Sequence, residues 1–120
     1  MLSSPFFLVG FCLLLTHELD AVRCEEWRIL PGLSMLGAEA GYRAFTVLHV
    51  PLYAVLLWGL FGDDTANHGL IVALDAFFIV HLLFHLLLRN RPNNHFGSLF
   101  SRALFVGAGL CGALDLLLLR

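Results

Sequence analysis

The sequence predicts an all-α protein: an integral membrane bundle of four transmembrane helices forming a single domain. Composition is the first observation behind this. The 120 residues are 59% hydrophobic and only 13% charged, with a mean hydropathy of +0.85, whereas soluble domains carry about 25% charged residues. The second is a set of four apolar runs, each close to the roughly 20 residues that a helix needs to cross the hydrocarbon core. The third is the punctuation between runs: Pro31-Gly32, Gly62-Asp63-Asp64 and Arg89-Asn90-Arg91-Pro92-Asn93-Asn94.

The first helix is expected over about residues 5–28. Pro5 suits its first turn, where the missing N–H has no helical partner to lose, and Pro31-Gly32 follows its end. Residues 1–5 carry no Lys or Arg, and no small-x-small site follows Phe6–Leu15. The segment therefore reads as a retained helix rather than a cleaved signal. The remaining helices are expected over about 43–61, 69–88 and 96–119, and residues 32–42, too short to span, along the interface. Trp27, Tyr42 and Trp58 fall near the ends of these runs and read as an interfacial belt. Gly107, Gly109 and Gly112 give the fourth helix a thin face suited to close packing or to a homo-oligomer.

Arg23, Arg28, Arg43, Arg89, Arg91 and Arg102 lie at the first and third connections or their flanks. The second connection carries Asp63 and Asp64, and only Arg120 shares its side. The positive-inside rule then predicts a multi-pass protein with both termini outside and the arginine-rich loops in the cytoplasm. A net charge of −2 without any basic run argues for membrane lipid, and against nucleic acid, as partner. Cys12, Cys24 and Cys111 form no CxxC pair and read as small core residues.

Residues 16–28, Thr-His-Glu-Leu-Asp-Ala-Val-Arg-Cys-Glu-Glu-Trp-Arg, extend an apolar run with ionisable groups. A charge at the centre of a membrane helix costs about 2.5–3.5 kcal/mol on insertion scales, so such groups are functional candidates. With a rise of about 1.5 Å per residue, His49 lies about 9 Å, His81 about 10 Å, His85 about 5 Å and His17 about 12–16 Å from the arginine-rich ends of their helices. At about 100° per residue, Asp20, Ala21, Cys24 and Arg28 share a stripe with His17, Glu18 and Glu25 flank it, and Val22 and Glu26 lie outside it. Glu25, Glu26 and Arg28 are close enough to the interface to be expected in solvent.

His81 and His85 form an i,i+4 pair, a spacing that lets two imidazoles reach one metal. Helix bundles build such sites from inward-facing His, Asp and Glu. The expected ligands are His17, His81 and His85, with His49 or Asp20 as a fourth, for a divalent metal, zinc or iron. Glu18 and Asp20 are the candidate catalytic groups, acting on a metal-bound water, and Glu18 is also placed to orient its neighbour His17. Two alternatives stand beside this: a b-type haem held by His49 and His85 for electron transfer, and an accessory subunit in which the polar wedge only locks the bundle. Asp75 and Asp115 are expected to bond between helices, and His68 and His95 to lie at the surface.

The stretch His-Glu-Leu-Asp-Ala…Glu-Trp-Arg, His17 to Arg28, resembles the signature of a family of small, uncharacterised four-helix bacterial membrane proteins. It is more distantly similar to HXXEE-domain membrane proteins, although Asp20 and Ala21 stand where that motif has its two glutamates. The resemblance implies the four-helix fold and location in the bacterial cytoplasmic (inner) membrane, and no activity. A looser similarity, confined to the His-x-x-x-His helix, links the chain to seven-span membrane metal hydrolases of the ceramidase and progestin-receptor type. If the chain is an enzyme, the expected chemistry is metal-assisted hydrolysis of a lipid-like substrate.

Overall fold

A computed structural model describes residues 4–63, 65 and 67–119. Asp64 of the expected helix stop and Arg120 of the arginine count lie outside the described residues. Four helices follow in order: α1 (Pro5–Arg23), α2 (Ala38–Phe61), α3 (His68–Leu87) and α4 (Leu99–Leu119), with 3-10 turns at Glu26–Arg28 and Leu33–Met35. All four are long and apolar enough to cross a membrane.

The helices do not contribute equally to the core. α1, α3 and α4 interlock, while α2 buries only Gly41, Phe45 and Leu60. One apolar cluster joins Phe7, Phe11 and Leu14 of α1 to Ile71, Leu74 and Phe78 of α3, with Leu60 from α2. A second, toward the opposite end of the bundle, gathers Ala21, Cys24, Trp27, Phe45, Phe96 and Phe105. Small residues set how closely α1, α3 and α4 approach. A Cβ on Gly112 would stand 2.7 Å from the Asp75 carbonyl oxygen, one on Gly10 2.9 Å from Cys111 Cβ, and one on Gly109 2.6 Å from a Leu82 methyl. The glycine face of α4 is therefore used inside the chain. One turn beyond Gly112, the Ser4 hydroxyl donates to Asp115 while its oxygen accepts the Phe7 N–H at 3.3 Å. That serine caps α1 and ties its start to the end of α4.

Both ends of the first connection differ from the sequence expectation. α1 stops at Arg23 rather than Arg28 because Glu25 takes a left-handed conformation, φ 54° and ψ 49°. A left-handed residue cannot continue a right-handed helix. The chain reverses there, Glu25 pairs with Arg28 at 2.9 Å, and Glu26 and Trp27 turn into the protein, 4% and 3% exposed. Glu26 is thus buried rather than solvated, and Trp27 is a core residue rather than part of an interfacial belt. Its indole lies on Gly41, where a Cβ would approach to 2.4 Å. Trp58, by contrast, is 77% exposed. α2 starts at Ala38 instead of residue 43, with Glu39 in its first turn, where a carboxylate favours the helix dipole, paired to Arg43 at 2.7 Å. His68 forms the first residue of α3, and His95 lies exposed in the loop before α4, where its carbonyl accepts from Cys24 Sγ at 3.4 Å.

Two measurements test this packing. Gly112→Ala must push a methyl against backbone and is expected to lower stability by about 1–3 kcal/mol. Gly97→Ala, where a Cβ meets nothing within 4 Å, is expected to leave the detergent-solubilised unfolding midpoint unchanged. At position 25, Glu25→Val is expected to destabilise by about 1–2 kcal/mol, because a branched side chain resists the left-handed conformation. Glu25→Gly, which adopts it freely, should retain or raise the midpoint. Equal midpoints for the two Glu25 variants would contradict the reversal.

Candidate metal centre

The reversal after α1 sets the levels of the polar groups. Counted back from the observed helix ends, His17 lies six residues before Arg23 and His81 six before Leu87, so both stand about 9 Å in at 1.5 Å per residue. Shortening α1 brings His17 to the level of His81, and the reversed chain carries Glu26 back to meet them.

His17, His81 and His85 form a nearly equilateral triangle. Ring centroids are 4.8 Å apart for His17 and His81, 4.8 Å for His17 and His85, and 4.7 Å for His81 and His85, with interplanar angles of 69°, 88° and 76°. Three imidazoles set edge to face in this way turn nitrogens toward a common centre rather than stacking. The fourth corner is Glu26, whose Oε1 is 3.3 Å from His85 Nε2 and 3.6 Å from His81 Nε2. One ligand atom from each of His17, Glu26, His81 and His85 lies within 4.8 Å of all the others. A tetrahedral zinc site with bonds of about 2.0–2.1 Å has edges of about 3.3 Å, so modest rotation of these side chains closes the shell.

Aromatic rings wall the cluster. Phe105 stacks on His85 at 4.4 Å and 9°, Phe77 stacks on His81 at 5.3 Å and 11°, and Phe96 lies 5.4 Å from His17. These rings fix the imidazole planes and exclude water. The hydrogen-bond inventory is then incomplete. His17 is fully buried, and neither of its ring nitrogens has a hydrogen-bond partner; His85 Nδ1 has none either, and His85 Nε2 meets only the Glu26 carboxylate. A buried polar group left unpaired costs about 1–3 kcal/mol, and buried polar atoms in folded proteins are nearly always satisfied. Three orphaned nitrogens, two on His17 and one on His85, beside a carboxylate are the pattern of a ligand set. Glu26 is ready to serve: burial would raise its carboxyl, but the His81 and His85 imidazoles facing it hold it down to about 2.

The other expected site residues lie elsewhere. His49 is outside the four-residue group. Its Nδ1 contacts the Phe45 carbonyl at 2.7 Å and its Nε2 the Glu18 carboxylate at 2.6 Å. A carbonyl only accepts, so Nδ1 carries a hydrogen, and a further proton lies in the contact between Nε2 and Glu18. With both nitrogens engaged, His49 has no lone pair free for a haem iron. Asp20 is buried, with Oδ1 3.8 Å from Arg23. Glu26 is the member that helical periodicity missed, since a continuous helix places it outside the His17 stripe. The Glu-Trp-Arg end of the resembling signature did contain it. Burial pushes the Cys24 thiol up, in keeping with an inert core residue.

Four side chains able to hold one metal ion thus stand together on a four-helix scaffold. No curated protein and no solved structure matches the chain. A family of unknown function, DUF6713, matches residues 3–120. The chain belongs to this family.

Proposed function

We propose that this chain is a multi-pass bacterial inner-membrane metalloprotein, with both termini outside, whose zinc or iron is held by His17, His81, His85 and Glu26. The observation that carries the reading is the fully buried His17 imidazole with no hydrogen-bond partner at either nitrogen. It stands at the centre of a cluster whose other members come from α3 and from the turn after α1. A purely structural network would satisfy these nitrogens, and the haem alternative would need a free nitrogen on His49. A metal held here would polarise a carbonyl or activate a water at a fifth position or at a corner vacated by Glu26, which makes hydrolysis of a lipid-like substrate the fitting reaction. Glu18 is the proton-handling residue in this reading. It lines the same cleft as Glu26 and His81, whereas Asp20 lies beside Arg23 at the end of α1.

Elemental analysis of the protein purified from membranes tests the centre. Zinc or iron at about one per chain is expected, and cobalt(II) put in its place should give the visible bands of a four-coordinate site. His17→Ala and His81→Ala should lose the metal, and Glu26→Gln should weaken its binding by at least about tenfold, or 1.4 kcal/mol. His49→Ala should retain it. Full retention in the His17 and His81 variants, or a Soret band, would overturn the assignment.

A further inference from the structure

The metal cluster opens on one side into a cleft of about 410 Å³ between α2 and α3. Its polarity runs opposite to that of a site open to water. At its mouth stand Leu48 and Leu52 of α2 and Val80 of α3, 53%, 47% and 61% exposed. Its inner end holds the ionisable groups: the side chains of His49, Glu18, His81 and Glu26 are only 15%, 14%, 11% and 5% exposed. A pocket that is apolar outside and polar inside suits entry from hydrocarbon. α2, the helix with the fewest buried residues, leaves this opening because it packs so lightly on α3.

We infer that this cleft takes a neutral long-chain acyl ester or amide from the bilayer, its chain between α2 and α3 and its acyl group at Glu18, His49, Glu26 and His81. The apolar mouth matches an aliphatic chain, which gains about 0.8 kcal/mol per methylene when it leaves water but little on leaving lipid, so recognition must come from the polar end. Glu18 and His49 share one proton and are neutral together, which suits an uncharged head. The Glu18–His49 pair holds one proton between two acceptors, Glu18 and the His49 ring nitrogen facing it, so it can both donate to and accept from a neutral acyl group. The choice of an acyl group as the reacting function rests on the hydrolytic reading above. The occupancy of the cleft does not.

Trp27 makes the inference measurable, because its ring lies 5.8 Å from Phe45, which lines the cleft. The protein has two tryptophans, so Trp58→Phe leaves Trp27 as the only emitter. This variant, reconstituted in phosphatidylcholine vesicles, is titrated with 9,10-dibromostearamide. Quenching of Trp27 should saturate at low mole fraction. The double variant Leu52→Phe, Val80→Phe, which fills the mouth, should weaken it by at least about tenfold while its helical circular dichroism stays unchanged. Dibromostearate, whose head is ionised, should bind more weakly than the amide, and Glu18→Gln, which removes the carboxylate facing the acyl group, should weaken binding of the amide.

Quenching that rises linearly with mole fraction, or saturates equally in the filled variant, overturns the inference. So does a cross-linked dimer that the filled variant abolishes, since a second copy would then be the occupant. Metal content measured on the same samples keeps the two claims apart. Metal without saturable quenching sinks the cleft assignment alone, and saturable quenching without metal sinks the metal centre alone.

Discussion

The close approach of α1, α3 and α4 is the constraint on which the rest of the structure depends. At Gly112 the α4 backbone comes so near α3 that a single methyl would meet the Asp75 carbonyl oxygen at 2.7 Å, and Gly10 and Gly109 extend the same seam. Small residues let the three backbones approach, and the contact area gained there holds the helices together. The seam leaves His17 no route to solvent. It places that imidazole between α3 and α4, 4.8 Å from two other histidines and walled by Phe96 and Phe105. A group so placed must be satisfied by something inside the protein.

The second determinant is one residue, Glu25. Its left-handed backbone, with φ 54°, ends α1 early and folds Glu26 back beneath the histidines. Non-glycine residues in this region carry a conformational cost of about 1–2 kcal/mol, and such strain gathers at functional positions when the surroundings enforce it. Here the surroundings are Trp27 on Gly41 and Glu26 against His81 and His85. The turn is held by the two residues directly after it, and it supplies the only carboxylate in the four-ligand group. The same turn and the lightly packed α2 together leave the cleft through which the centre is reached.

Much of this was legible in the residues themselves. Apolar run lengths and the Pro-Gly and Asn-rich breaks announced four helices. The i,i+4 spacing of His81 and His85, with His17 on another helix, announced three members of the cluster. The differences at the helix ends cluster at the first connection. Extending α1 through Arg28 on a 3.6-residue period put Glu26 on the wrong face and Trp27 at the interface. Nothing in a Cys-Glu-Glu-Trp stretch marks a left-handed residue as a glycine would. His49 was assigned to the cluster because it shares a similar depth, but depth along a helix says nothing of which neighbour a side chain meets.

By itself the sequence determined what local periodicity and solubility can determine. It set the number of helices, their apolar character, and the need for several ionisable groups to turn inward from an apolar surface. Those features come from the cost of leaving charge or backbone polar groups unpaired in apolar surroundings, which acts on each segment alone. The tertiary structure decided the pairing: Glu26 with His81 and His85, Glu18 with His49, Asp115 with Ser4. Pairing depends on distances between segments far apart in the chain, fixed by glycine contacts and one reversed turn. A helical wheel drawn for one helix contains neither.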